Sequence, residues 1–241
     1  MHGAAQTAHS FDEVAPALAR DHHVIAIDQR GHGDSSWTSR YRRADFVEDL
    51  RAMLDHLGWW QATFVGMSLG GLNTLGFATT YADRVTGLVI VDVVPTVAKA
   101  GREAVGRQLA TRDFASFKEA VDHAHAFNPR RTLANIRERL GHAMRERPDG
   151  RWTYKFDPGI GAHVEDDLAQ LWHRIAFIRC PALLVRGAES PMLTVQGAER
   201  FRQAIPGSRV ATVPDAGHSV MGDNPAGFLA AVQPFLTRHE L

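Results

Sequence analysis

Two kinds of hydrophobic spacing alternate along the chain, and together they predict a layered α/β protein. Short continuous apolar runs closed by Gly, Asp or Pro read as strands buried on both faces. They are Val24-Ile25-Ala26-Ile27 before Asp28, Ala62-Thr63-Phe64-Val65 before Gly66, and Val85 through Val91 before Asp92. Ala182-Leu183-Leu184-Val185 before Gly187, and Arg209-Val210-Ala211-Thr212-Val213, complete the set. Between them the apolar positions switch to helical spacing: Phe46, Leu50, Met53, Leu54 and Leu57 with Gly58 as a stop, then Leu72, Leu75, Phe77, Ala78 and Tyr81. Phe228, Leu229, Val232, Phe235 and Leu236, behind Pro225, give the last helix. Ser10 followed by Glu13 is a capping-box pattern, and with Phe11, Val14 and Leu18 on one face it predicts a helix over 10–20, with Pro16 inside it. Strands alternating with helices mean a mostly parallel sheet covered by helices on both faces.

The pattern changes between 96 and 175. This stretch is rich in Arg, His and Ala, helical in period and without a convincing strand, and Gly141, Pro148-Asp149-Gly150 and Asp157-Pro158-Gly159 break it into pieces. It reads as a helical cap inserted into a core made of residues 1–95 and 176–241. No internal repeat or low-complexity tract interrupts this plan.

The chemistry concentrates at Gly66-Met67-Ser68-Leu69-Gly70-Gly71. A β-branched run ends there and a helix begins at once, which is the strand, turn, helix context of a nucleophile elbow. Such a turn is too tight for a Cβ at the flanking positions, and it lifts the Ser68 hydroxyl off the end of the sheet.

Bulk composition narrows the partners. Twenty-seven basic residues balance 27 acidic ones, so charge gives no reason to expect nucleic acid or an anionic membrane. No apolar run approaches membrane-spanning length, and the first residues lack the basic start and apolar core of a signal peptide. Cys180 is the single cysteine; an intrachain disulfide is therefore excluded, and the expected setting is the cytoplasm. Thirteen histidines invite a metal reading, but the tightest pair, His123-Ala124-His125, faces two directions on a helix, and no HExxH or cysteine cluster accompanies it. Neither a metal nor a cofactor is expected. Arg130-Arg131 and Arg145-Glu146-Arg147 read as solvated helix faces, while Trp152, Tyr154, Phe156 and Trp172 are candidates for a pocket lining.

Taken in order, His2-Gly3, Asp28-Gln29-Arg30-Gly31-His32-Gly33-Asp34-Ser35, the Ser68 elbow, Asp92 and Asp215-Ala216-Gly217-His218 resemble the α/β-hydrolases over nearly the whole chain. The resemblance implies a serine hydrolase in which His218 is the general base. The carboxylate that orients it has two candidates: Asp92, ending the strand after the elbow, and Glu189, after the following strand. Leu69, the residue after the nucleophile, offers one oxyanion N–H, the resemblance makes Ala4 the second, and Arg30-Gly31-His32-Gly33 reads as a turn supporting the active-site floor. Expected substrates are small carbonyl compounds: esters, lactones, amides or the C–C bond of a diketone. Dehalogenation needs a carboxylate where Ser68 stands. The alternative from another class is a ligand-binding signalling protein that keeps the fold and turns over slowly or not at all; homo-oligomerisation is left open. In the family a central strand precedes His-Gly and two more come earlier, so Met1 is expected to be an internal methionine of a longer protein.

Overall fold

In the computed structural model, residues 1–96, 98–110, 112–163 and 168–238 are described. The elements run α1 (Ala15–Leu18), α2 (Arg43–His56), β1 (Ala62–Met67), α3 (Leu69–Thr80), β2 (Val85–Val91), α4 (Lys99–Ala110), β3 (Asp113–Phe114), α5 (Phe117–Phe127) and α6 (Leu133–Ala143). They continue with β4 (Met144–Glu146), β5 (Trp152–Tyr154), α7 (Leu168–Ile175), β6 (Ala182–Gly187), α8 (Val195–Ala204), β7 (Arg209–Val213), α9 (Val220–Asp223) and α10 (Pro225–Arg238).

The central sheet has the order β1-β2-β6-β7, with every pair parallel. Strand β2 is its axis. Leu88 and Ile90 turn to one face with Leu50, Leu75, Phe77 and Phe201, while Val89 and Val91 turn to the other with Phe228, Val232 and Met221. These four residues of β2 are fully buried, each contributing about 1.5–3 kcal/mol of transfer free energy. The continuous apolar run seen in the sequence is the signature of this two-sided burial. Helices α2, α3 and α8 cover one face, and α10 covers the other.

Three expectations need correction. Residues 24–28 form no strand, and Val24 and Ile25 are exposed. A ladder needs a partner of comparable length. On the edge of β1 away from β2, the described residues alongside are Met1 and His2, where the Met67 amide donates to the Met1 carbonyl at 3.0 Å and the terminal amine donates to the Val65 carbonyl at 2.8 Å. Secondly, the helix over 10–20 is two short pieces, a 3-10 turn at Ala8–Phe11 and then α1, with Pro16 in the first turn of α1. A proline lacks the N–H and the room for an interior helical position, and the chain restarts around it. Thirdly, the insertion is not purely helical. It holds an antiparallel sheet of order β3-β5-β4. Its strands are two or three residues long, too short for a period-two pattern, and Pro148-Asp149-Gly150 proves to be the hairpin turn between β4 and β5, with Gly150 at φ 78°. This sheet and helices α5 and α6 form a third apolar cluster around Phe114, Ile136, Leu140 and Tyr154, which reaches the core at Leu69 and Phe46.

Candidate active site

Ser68 sits between β1 and α3 at φ 52° and ψ −119°, a conformation that L residues adopt only under constraint. The constraint is local crowding. A Cβ at Gly66 would lie 2.6 Å from the Thr74 hydroxyl and 2.7 Å from the Gly70 carbonyl oxygen; one at Gly70 would lie 2.6 Å from the His2 carbonyl oxygen. The Ser68 amide donates to the Val91 carbonyl at 3.1 Å, which ties the turn to the end of β2.

His218 arrives from the loop after β7. Its Nε2 is 3.0 Å from the Ser68 Oγ, and its Nδ1 is 2.8 Å from the Asp92 Oδ2. Asp92 is fully buried at φ 55°, directly after β2. Its Oδ1 accepts the Gly187 N–H at 3.0 Å and its Oδ2 also accepts the Ser190 hydroxyl. Ser190 in turn accepts the Met192 amide at 3.0 Å, so β6 and the loop after it fix the carboxylate from both sides. Glu189 lies in that loop but points elsewhere, forming an exposed ion pair with Arg130. The structure thus joins Ser68, His218 and Asp92 in one hydrogen-bonded line and leaves Glu189 out of it.

The first turn of the chain completes the floor. A Cβ on Gly3 would be 3.2 Å from that of Ser68, and Ala4 lines the same cavity. Neither the Ala4 nor the Leu69 amide donates a hydrogen bond to another described residue. A buried polar chain holds this turn. The Gln29 amide donates to His2 Nε2 at 3.0 Å, the Gln29 side chain donates to the His2 carbonyl at 2.6 Å, and Asn73 donates to Gln29 at 2.8 Å. His2 Nδ1–H then donates to the Gly3 carbonyl at 2.7 Å, which fixes a neutral tautomer. Burial pushes the His2 pKa well below the ordinary imidazole value, and His32, edge-on to it at 4.9 Å, is lowered for the same reason.

A cavity of about 380 Å³ opens over Ser68, its floor from the core and its upper wall from α5, α6 and Tyr154. Of the aromatic candidates Tyr154 alone lines it; Trp172 borders a separate hollow with Arg200 and donates to the Thr96 hydroxyl at 2.6 Å. Arg130 is solvated as expected, but Arg131 is not. Arg131 is buried, and its Nε donates to Asp223 Oδ1 at 2.8 Å in an ion pair whose side chains are 3% and 1% exposed. Asp223 also accepts Asn128 Nδ2 at 2.8 Å and the Gly217 amide, next to His218, at 2.9 Å. Gln6 makes a second link, accepting the Gly3 amide at 3.2 Å and donating to the Ser219 hydroxyl at 3.3 Å.

None of Ser190, Gln6, Arg131, Asp223 or Arg139 was singled out in the sequence as part of the site. Their signal is proximity across 90 or more residues for the Arg131–Asp223 pair, and no local pattern encodes that. Among the described residues His9, Asp12 and His142 could offer three metal-ligand atoms within 4.8 Å of one another, far in the sequence from the His123–His125 pair. They sit at the surface, with the two rings stacked at 3.5 Å and His9 hydrogen-bonded to Asp12 at 2.8 Å.

A parallel sheet with a hydroxyl, an imidazole and a carboxylate aligned at its carboxyl edge, under a partly helical insertion, defines a hydrolase of the α/β class. The chain matches the family model described as the alpha/beta hydrolase fold over residues 1–225, and it belongs to that family. It is 32% identical over 246 residues to esterase Rv0045c of Mycobacterium tuberculosis, which covers 98% of this chain and 81% of that protein. The 3-hydroxybutyrate-oligomer hydrolase of Cupriavidus necator is 28% identical, covering 97% of this chain and 86% of its own. The crystal structure of Rv0045c superposes with a TM-score of 0.83 over 98% of this chain and 82% of that one, at 30% identity. The protein is an α/β-fold hydrolase. No helix among the described residues is long and apolar enough to cross a membrane.

Proposed function

We propose that the chain is a cofactor-independent serine hydrolase acting on a small substrate with an electrophilic carbonyl: an ester, lactone, amide or the C–C bond of a diketone. The observation that carries this reading is the unbroken line Ser68–His218–Asp92, with contacts of 3.0 and 2.8 Å. A serine hydroxyl is a weak nucleophile, so His218 Nε2 takes its proton as Oγ attacks the carbonyl carbon. Asp92 keeps the other ring proton on Nδ1 and balances the imidazolium without taking the proton itself. The carbonyl π electrons move to oxygen, which the N–H groups of Leu69 and Ala4 receive. Collapse of the adduct expels the leaving group, to which His218 returns the proton. Water, deprotonated by the same nitrogen, then frees the acyl group and regenerates Ser68.

Residues 96–175 act as the cap, since their α5 and α6 walls shield the cavity and raise the worth of each polar contact inside it. Cys180 is no rival nucleophile: burial pushes its thiol pKa up to about 11. A lone, half-buried cysteine also suits a cytoplasmic setting. Rv0045c, named an esterase, favours esters within the substrate range. The test is turnover of p-nitrophenyl acetate together with fluorophosphonate labelling mapped by mass spectrometry. Many turnovers per molecule and a label on Ser68 are expected. A stoichiometric burst with no further product would favour the slow ligand-binding alternative, and a label elsewhere would end the proposal.

A further inference from the structure

The cavity over Ser68 holds an unbalanced charge. Five charged side chains line it: Arg130, Arg131, Arg139, Glu189 and Asp223. Two ion pairs account for four of them, Arg130 with Glu189 and Arg131 with Asp223. Arg139, on α6, is left over and makes no ion pair or hydrogen bond with any described residue.

The anions that act on Arg139 through space are Asp223 and Glu13, and both are engaged elsewhere. Asp223 receives Arg131, Asn128 and the Gly217 amide, while Glu13 receives the Asn135 side chain. Enclosure by protein, reinforced by the neighbouring Arg131, pushes the Arg139 pKa down to about 9, so the group still carries its charge at neutral pH. Arg131 and Tyr154, which line the same cavity, act on Arg139 through space. Arg131 Nη1 is buried with no acceptor. The Tyr154 hydroxyl, on the same wall, makes no hydrogen bond with a described residue. A partly buried guanidinium on the cavity wall with no paired anion is a site for an acceptor, because a partly desolvated, unpaired cation is unfavourable until an anion joins it.

We propose that Arg139, with the Tyr154 hydroxyl on the same wall, binds a carboxylate carried by the substrate, distinct from the carbonyl that Ser68 attacks. One surplus positive charge matches a monoanion and not a phosphate monoester, and the planar guanidinium fork fits the two oxygens of a carboxylate. The substrate class narrows to acids whose other end is a neutral ester, amide or ketone, small enough for about 380 Å³. This inference rests on the serine-hydrolase reading above.

The test compares the monoethyl esters of succinic, glutaric and adipic acid with ethyl butyrate, valerate and caproate, each followed by pH-indicator assay. At least one acid ester is expected to show the higher kcat/KM. Arg139→Gln should lower the ratio of acid-ester to neutral-ester kcat/KM by about 10- to 100-fold, the worth of hydrogen bonds to a charged group, with Arg139→Lys in between. Calorimetry of monoethyl glutarate and monoethyl adipate on Ser68→Ala should give binding that the additional Arg139→Gln change abolishes. Preference for the neutral esters throughout, or a ratio unmoved by Arg139→Gln, overturns the carboxylate site while leaving the hydrolase reading intact. Binding of the acid esters without Ser68-dependent turnover of any ester overturns the hydrolase reading and keeps the site; absence of both overturns both.

Discussion

Replacing Asp92 by Asn tests the line of hydrogen bonds at its most sensitive point. The two side chains have the same shape, so the consequence is set by which end of the amide lies where. Gly187 N–H, 3.0 Å from Oδ1, accepts nothing and donates only, so the amide oxygen must stay at that position. The NH₂ group then takes the place of Oδ2 and donates toward His218 Nδ1, at present 2.8 Å away. The ring proton moves to Nε2, which faces the Ser68 Oγ at 3.0 Å, and the nitrogen that should take the serine proton already holds one. A wrong tautomer of this kind lowers kcat about 10⁴-fold, or about 5.5 kcal/mol of barrier. Glu189→Gln removes an ion pair whose side chains are 39% and 46% exposed, so its worth is at most about 1 kcal/mol and activity should stay within about threefold. The assay is kcat/KM on p-nitrophenyl acetate, with melting curves confirming that both variants are folded. Should Asp92→Asn keep more than about a tenth of the activity, or Glu189→Gln prove the worse of the two, the tautomer argument is wrong.

Other consequences are as direct. Stability should fall on acidification below pH 6.5. Buried His2 and His32 have lowered folded-state pKa values, so the unfolded chain binds protons first; each contributes a loss of up to about 1.4 kcal/mol per pH unit until its folded pKa is reached. Urea midpoints at pH 7.5 and 5.5 read this, and a midpoint that rises toward pH 5.5 contradicts it. Asp223→Ala strands the buried Arg131 and should cost about 3–5 kcal/mol of stability, whereas Arg131→Met with Asp223→Leu should cost less than either single change, as a double-mutant cycle of melting data would show.

The parallel core was legible because burial on two faces writes itself as unbroken apolar runs, and β2 is the plainest case: Leu88 through Val91 all face protein. The elbow was legible for a different reason. Its glycines answer to backbone crowding within a few residues, so the pattern is local. The insertion was misread because β3, β4 and β5 are shorter than one period of evidence, although the Pro148-Asp149-Gly150 turn did mark their hairpin. Residues 24–28 have the composition of a strand, but strand formation is a property of pairs, and no strand among the described residues pairs with them. Arg131 was misjudged by the general rule that arginine runs are solvated; its anion lies 92 positions away and comes near only after folding.

That distant pair has a consequence for how the site works. A buried Arg–Asp pair adds little net stability over apolar residues of similar size, so its placement asks for another explanation. Asp223 supplies one. Its Oδ1 holds Arg131 and Asn128 from the insertion, and its Oδ2 holds the Gly217 amide beside His218. One rigid carboxylate therefore registers the cavity roof and the base-bearing loop against each other. Displacement of the α5–α6 connection strains the His218 loop, and a shift of about 1 Å in a catalytic group is enough to lower a rate about 100-fold. By consuming the charge of Arg131, the same contact leaves Arg139 as the surplus cation in the cavity. Positioning of the base and selection of an anionic substrate thus descend from one buried interaction. Loss of Asp223 should consequently disturb turnover and acid-ester preference together, where loss of Arg139 disturbs the preference far more than the turnover.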